Sequence, residues 1–183
     1  MSKINIQKDI AGIKGLCIIS PFSVKKPEKN LIETYNYKEF FKEGLYQVFV
    51  QDNEVWSRQG VLRGMHVNVQ HPQGKLIHVI SGRIFDVVVD LRMGSPVYKK
   101  WFGIELSASN QKQLYIPEGL GHGYLALTDA VVLFKVTTHY IPNDEIPFSW
   151  KSKESGIKWP VEGLNIIQNE TDQHSKDLSE IQF

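Results

Sequence analysis

The chain has little cysteine, no long apolar run and no excess of charge of either sign. One cysteine among 183 residues, Cys17, excludes an intrachain disulfide and predicts a reducing compartment. Lys and Arg number 21 and Asp and Glu number 20, whereas a nucleic-acid-binding protein usually has a strong basic excess. No segment approaches the ~20 apolar residues of a membrane span, and the N-terminus has no apolar core of a signal peptide. We therefore expect a cytoplasmic protein that binds neither nucleic acid nor membrane, with Cys17 buried in its apolar run.

Short segments rich in Val, Ile, Tyr and Phe, separated by turn residues, dominate the sequence. Such segments are typical of strands. They are Tyr46–Val50, Leu76–Ile80, Ile84–Leu91, Trp101–Leu106, Gln113–Ile116, Gly123–Leu127 and Val131–Thr138. Their spacing predicts an all-β antiparallel sandwich or barrel in one domain, and Tyr37–Glu43 is expected to form a short surface helix.

The segment Ile84–Leu91 shows which faces such a strand presents. With a period of two, Phe85 and three further apolar residues share one face, while Asp86, Val88 and Asp90 share the other. One apolar face and one mixed face are expected when a strand has a core side and a polar cavity side.

Polar residues suited to proton transfer cluster around one motif. Arg63 and His66 lie in Gly-Val-Leu-Arg-Gly-Met-His, and Lys75 follows nine residues later. Histidine moves protons near neutral pH, and the two cations can hold negative charge. The pattern favours proton transfer on a carbonyl compound over a passive surface. His122 lies between two glycines that would let a ligand approach closely.

The sequence gives no sign of a metal or an organic cofactor. No His-x-His pair or cysteine pair is present, and His66 and His122 are isolated. Phosphate-binding and dinucleotide-binding loops are also missing. We therefore expect a site that works without a cofactor.

Several of these motifs, in order along the chain, resemble the dTDP-4-dehydrorhamnose 3,5-epimerase family. The segments that carry the resemblance are Gln51–Asn53, Gly60–His66, Pro72–Lys75, Phe85–Arg92, Ile116–Gly123 and Gly156–Pro160. The family implies a metal-free cupin, a jelly-roll β-sandwich with short peripheral helices, here one domain over residues 1–183. It also implies a homodimer that exchanges N-terminal strands. Its members epimerise nucleotide-linked 4-keto-6-deoxy sugars for surface polysaccharides.

The resemblance assigns roles to individual residues. His66 is the base, and Asp172, in Asn-Glu-Thr-Asp, is the carboxylate that holds it, with Asp177 as a weaker alternative. Lys75, helped by Arg63, would stabilise the enolate. The positions that match nucleotide-sugar contacts are Glu33, Gln51, Asp52, Asn53, Arg63, Lys75, His122 and Glu145.

The chain departs from the family pattern at its acid and at its nucleotide contacts. The tyrosine that serves as general acid is replaced by Phe134, so Tyr140 is the expected substitute. We therefore expect inversion at C3, with little or none at C5. The family's Asp-x-Arg-Gly-x-Phe segment becomes the segment 26–31, and Thr171 replaces a lysine. These changes leave dTDP, GDP and CDP carriers open. A related sugar ketoisomerase and a non-catalytic sugar-nucleotide-binding cupin are the alternatives.

Overall fold

The computed structural model describes residues 3–182, whose regular structure is mainly β-strand. The strands are β1 (Asn5–Gln7), β2 (Cys17–Ser20), β3 (Phe22–Lys26), β4 (Lys29–Glu33), β5 (Gln51–Ser57), β6 (Leu62–Asn68), β7 (Lys75–Ser81), β8 (Arg83–Asp90), β9 (Trp101–Ser107), β10 (Gln113–Ile116), β11 (Leu120–Ala126), β12 (Ala130–Val136) and β13 (Glu145–Pro147). The helices are α1 (Tyr37–Lys42) and α2 (Glu170–Gln173), and short 3₁₀ turns lie at Ile10–Gly12 and Leu178–Glu180.

Two antiparallel sheets form the body of the fold. The first has six strands in the order β1-β2-β10-β7-β12-β5, and the second has five in the order β13-β6-β11-β8-β9. Strands β3 and β4 pair with each other in a separate hairpin. Because neighbouring strands are mostly distant in sequence, the chain crosses repeatedly between sheets, as in a jelly roll. The expected all-β cupin fold is confirmed.

The main core lies between the sheets, and strand β8 turns its mixed face towards it. Val88 belongs to the central cluster with residues of both sheets, and Asp86 shares its face. Val87, Val89 and Leu91 pack in a second cluster with Phe148 from the C-terminal part of the chain. The two faces alternate as predicted, but the wholly apolar face is not the side of the main core, because the C-terminal part of the chain covers it.

The C-terminal segment is tied to the start of strand β6. Ile167 donates its N–H to the Gly60 carbonyl oxygen and accepts a bond from the Leu62 N–H, each at 2.9 Å. Gly60 has a φ of 83°, and a Cβ atom there would lie 2.1 Å from the Asn165 carbonyl oxygen. Glycine is therefore required for this close approach, which brings Asp172 towards the centre of the second sheet.

Several local expectations are confirmed and one strand was misplaced. Cys17 is buried, and α1 forms where a helix was expected. Six of the seven predicted strands overlap strands of the structure, but the prediction for Tyr46–Val50 is wrong, since regular pairing begins at Gln51. The side chains of Tyr46, Val48 and Val50 are exposed and alternate with less exposed neighbours, which explains the strand-like pattern.

Two features complete the fold. The predicted strand segments overlap β7 to β12 and leave out β1 to β6 and β13. Among the described residues, no helix has the length and apolar character that crossing a bilayer would require.

Candidate active site

A cavity of about 260 Å³ lies between the two sheets and opens to solvent. Its wall combines apolar residues with charged, amide and aromatic side chains. The polar and aromatic members are Gln51, Asn53, Arg63, His66, Gln73, Lys75, His122, Tyr124, Phe134, Tyr140, Glu145 and Asn169. Small-molecule sites are typically ~300–1,000 Å³, so this cavity can hold one sugar-sized group while a larger ligand extends beyond its mouth.

A bulge in strand β6 directs Arg63 and His66 into the same cavity. His122 of β11 pairs with His66, whereas Tyr124 pairs with Arg63. An advance of two residues along β11 is therefore matched by three residues along β6. Without this extra residue the two side chains would point to opposite faces. Gly64 lies in the bulge with a φ of 97°, and a Cβ atom there would lie 2.7 Å from the His122 carbonyl oxygen.

His66 is held by a buried carboxylate. Its Nε2 atom lies 2.7 Å from Asp172 Oδ1, while Asp172 Oδ2 accepts the Gly64 N–H at 2.9 Å. An ionised carboxylate only accepts hydrogen bonds, so Nε2 carries the hydrogen and the lone pair of a neutral ring is on Nδ1. Asn169 caps α2 by accepting the Asp172 N–H at 2.7 Å, which fixes the carboxylate further.

The Glu145 carboxylate lies between His66 Nδ1 and the Lys75 ammonium. Its two oxygens lie 3.5 Å from His66 Nδ1 and 3.6 Å from Lys75 Nζ. The Lys75 side chain is about one-tenth exposed, whereas Glu145 retains about a third of its exposure. Because the Lys75 ammonium belongs to the six-stranded sheet and His66 to the other, Glu145 connects two groups that face each other across the cavity.

A second imidazole–carboxylate pair lies beside the first. His122 Nε2 is 3.0 Å from Asp86 Oδ2, and Asp86 is fully buried on strand β8. By the same reasoning Asp86 sets the tautomer of the neutral ring and leaves Nδ1 free. His122 and His66 are register partners, so both imidazoles lie on the five-stranded side.

Tyr124 spans the cavity from the five-stranded sheet to the edge of the other sheet. Its hydroxyl lies 2.9 Å from Ser57 Oγ on β5, and Arg63 Nε donates to the same Ser57 oxygen at 3.2 Å. Burial raises the pKa of Tyr124, although Ser57 and Arg63 act in the opposite direction. The phenol therefore keeps its proton at neutral pH.

Phe134 and Tyr140 occupy different parts of the cavity wall. Phe134 is half-buried on β12 and packs against the central core, where it offers no hydroxyl. Tyr140 follows that strand at the mouth and is 64% exposed. The Tyr140 N–H donates to the Gln51 side chain at 3.0 Å, which places the loop beside the cavity.

Three residues expected at the site lie elsewhere in this chain. Asp52 points to the opposite face of β5 from its two neighbours and pairs with Lys135 at 2.8 Å. Glu33 accepts a bond from Asn36 and does not line the cavity. Asp177, the alternative partner for His66, instead caps the 3₁₀ turn that follows it.

Some cavity residues were not identified from the sequence. Asp86 was placed on the polar face of its strand, but its pairing with His122 depends on the register of β8 and β11. Asn169 lies in the matched Asn-Glu-Thr-Asp segment, which could have identified it. Tyr124 and Ser57 belong to different sheets, so no local pattern connects them.

Comparison with known proteins gives one consistent result. The family model described as dTDP-4-dehydrorhamnose 3,5-epimerase matches residues 11–180. A relative of that name from Methanothermobacter thermautotrophicus is 43% identical over 170 residues, which cover 92% of each chain.

Solved structures agree with this result. A dTDP-6-deoxy-D-glucose-3,5-epimerase from Legionella pneumophila, in complex with dTDP-4-keto-L-rhamnose, superposes with a TM-score of 0.92 at 35% identity. The match covers 98% of this chain and 95% of the other. A 3'-monoepimerase from Streptomyces bikiniensis, in complex with dTDP-quinovose, has a TM-score of 0.84 at 26% identity, covering 91% and 85% of the two chains.

Proposed function

The chain belongs to the dTDP-4-dehydrorhamnose 3,5-epimerase family, and we propose that it epimerises a nucleotide-linked 4-keto-6-deoxy sugar at C3, C5 or both. It is thus an isomerase. One observation supports this reaction more than any other. His66 is hydrogen-bonded to the buried Asp172 and faces a cavity that also contains Lys75 and Arg63. A positioned base and two cations are what the removal of a proton next to a ketone requires.

In the first step His66 Nδ1 removes a hydrogen from a carbon next to the ketone. The bond electrons move to the ketone oxygen and give an enolate, which Lys75 and Arg63 stabilise. Asp172 stabilises the imidazolium and keeps the ring in the required tautomer, as a carboxylate does for other catalytic histidines. Glu145, 3.5 Å from the same nitrogen, adds a second negative charge near the protonated ring.

A proton then returns to the same carbon from the opposite face, which inverts the centre. The cavity volume supports a position of the sugar ring inside, with the nucleotide extending beyond the mouth, and Gln51 and Asn53 of the lining are candidates for its contacts. The two structural relatives described above contain dTDP sugars. Because the changes in segment 26–31 alter expected nucleotide contacts, we keep dTDP, GDP and CDP carriers as candidates.

We also propose a cytoplasmic homodimer that serves surface polysaccharide synthesis. The β3–β4 hairpin forms a sheet of its own with largely exposed side chains. Packing of this hairpin on a second copy would explain why Glu33, at its end, lies outside the cavity of its own chain. The molar mass in solution, measured by light scattering, tests the dimer.

The test of function is incubation in heavy water with dTDP-, GDP- and CDP-linked 4-keto-6-deoxy sugars. Proton NMR should show loss of an α-hydrogen signal and appearance of an inverted product. The His66→Asn variant is the matched control and should do neither. Binding without exchange would support a non-catalytic cupin, and movement of the carbonyl would support a ketoisomerase; either result would contradict the proposal.

A further inference from the structure

Inversion requires a proton donor on the face of the sugar that is opposite the base. His66 lies on β6, so the donor must come from the side of the six-stranded sheet. Phe134, on that sheet, has no exchangeable proton. The reaction therefore needs another hydroxyl that reaches the same wall.

Tyr124 meets this requirement although its strand belongs to the sheet of the base. The side chain is 6% exposed and lines the cavity, and its hydroxyl contacts Ser57 on β5, the edge strand of the six-stranded sheet. Its ring thus crosses between the sheets and carries its proton to the wall that faces His66.

The hydrogen bonds behind Tyr124 allow an arrangement in which its own hydrogen is free. Arg63 Nε can only donate, so the Ser57 oxygen accepts from it. Ser57 can then donate its own hydrogen to the Tyr124 oxygen, and in this arrangement the phenolic hydrogen is available to the cavity. In such a chain each hydrogen bond polarises the next, which lowers the free-energy cost of a negative charge on the Tyr124 oxygen.

Building on the proposed epimerase function, we propose that Tyr124 is the general acid that protonates the enolate carbon opposite His66, with Ser57 and Arg63 as its supporting donor chain. The O–H bond of Tyr124 breaks as the new C–H bond forms, and the electrons of the enolate oxygen re-form the ketone. The phenolate left behind accepts the Ser57 hydrogen bond. Water restores its proton after the product leaves, while His66 releases the abstracted proton to solvent.

The other proton-bearing groups of the cavity are less suitable. His122 is the register partner of His66 and lies on the same sheet as the base. Lys75 is positioned for the ketone oxygen and has Glu145 within 3.6 Å. Tyr140 follows β12 at the mouth and is 64% exposed, so it is a less enclosed donor than the buried Tyr124.

The experiment separates proton removal from inversion. In heavy water, His66 alone can remove a hydrogen and return deuterium to the same face, so exchange with retention reports the base. Tyr124→Phe should keep this exchange and lose about 10²–10⁴-fold in inversion, the usual contribution of a general acid. Tyr115→Phe is the matched control, since it also removes a buried hydroxyl, one without a hydrogen-bond partner and outside the cavity; it should invert at the native rate.

Two further variants make the result decisive. Adding Phe134→Tyr to the Tyr124→Phe variant should restore inversion, because a phenol is then returned to the same wall. Ser57→Ala keeps the phenol but should lower inversion relative to exchange by about tenfold, the effect of one lost hydrogen bond. Ser57→Ala also tests the proposal if Tyr124→Phe fails to fold. Unchanged inversion in Ser57→Ala would argue against the donor chain.

Each contrary outcome identifies what is wrong. Native inversion in Tyr124→Phe, or loss of inversion in Tyr140→Phe instead, overturns the assignment of the acid and leaves the epimerase function intact. Failure of the unmodified protein to exchange any α-hydrogen of the sugars overturns the proposed function, and the role of Tyr124 with it.

Discussion

Replacing Asp172 by Asn tests how the base is oriented. The carboxylate accepts two hydrogens, from His66 Nε2 at 2.7 Å and from the Gly64 N–H at 2.9 Å. Asparagine has the same shape but only one oxygen, so one of the two donors must face the NH₂ group. If the oxygen stays with Gly64, the imidazole has to accept at Nε2 and carry its hydrogen on Nδ1, where the base lone pair is needed.

The size of the effect follows from this conflict. In serine hydrolases the same substitution at the carboxylate of the triad lowers turnover about 10⁴-fold, because the imidazole takes the wrong tautomer. We expect a loss of roughly 10²–10⁴-fold in α-hydrogen exchange, which equals about 3–5 kcal/mol of activation free energy. The unfolding free energy should fall by only about 1–2 kcal/mol, since one hydrogen bond to a charged group is replaced by a poorer one.

Exchange of the substrate α-hydrogens, followed by NMR, and thermal unfolding are the two measurements. Asp177→Asn is the control, because Asp177 lies five residues further on and caps a 3₁₀ turn. Asparagine caps nearly as well as aspartate, but Asp177 Oδ2 also accepts the Lys153 N–H at 3.0 Å. This variant should therefore keep its activity and lose about as much stability as Asp172→Asn, about 1–2 kcal/mol. If Asp177→Asn abolishes exchange and Asp172→Asn does not, the orientation of the base by Asp172 is refuted.

Four further predictions follow from the same geometry. His66→Asn should lower α-hydrogen exchange about 10²–10⁴-fold; exchange at the native rate would show that another group is the base. Lys75→Ala should lower kcat roughly 10²–10³-fold with a smaller change in KM, and the opposite pattern would indicate a phosphate contact. The product should be inverted at C3 and not at C5, and Phe134→Tyr should add inversion at C5; NMR showing both centres inverted by the unmodified protein would contradict this. Burial opposes ionisation of Asp90, but hydrogen bonds from Arg92 outweigh it and hold the pKa of Asp90 below its usual value, so Asp90→Asn should cost about 1–3 kcal/mol at pH 7. A depressed pKa contributes its full stability above the unfolded value of ~3.9 and loses it as the pH falls through the lower folded pKa, so this deficit should shrink progressively as unfolding is measured at pH values below about 4.

The fold was largely predictable because strand patterns are local. In β8 the alternation of apolar and acidic residues identified two different faces, and both are present, but the wholly apolar face packs against the C-terminal part of the chain and not between the sheets. The segment Tyr46–Val50 shows the limit of this reasoning. Alternation there marks an extended chain, but whether that chain pairs depends on where the neighbouring strand β12 ends.

The site was predictable only in part, because its residues come from different sheets and distant segments. His66 and Asp172 are 106 positions apart, and periodicity alone does not connect them; the motif resemblance did. Asp52 was expected at the site because it lies between Gln51 and Asn53, yet strand alternation turns it away. The β6 bulge was also invisible in the pattern, although it decides that Arg63 and His66 share one cavity.

The division of the site between two sheets is what makes inversion possible. The proposed base His66 and its carboxylate belong to the five-stranded side, whereas Lys75 and the hydroxyl end of Tyr124 lie towards the six-stranded side. A site built on one sheet would return a proton to the face that lost it, giving exchange with retention. We therefore expect the sugar to lie in the cavity between the sheets, with its reacting carbon exposed to both. If a sugar nucleotide were bound only at the mouth, His66 would remain out of reach and α-hydrogen exchange would be absent, so exchange in the unmodified protein also reports this placement.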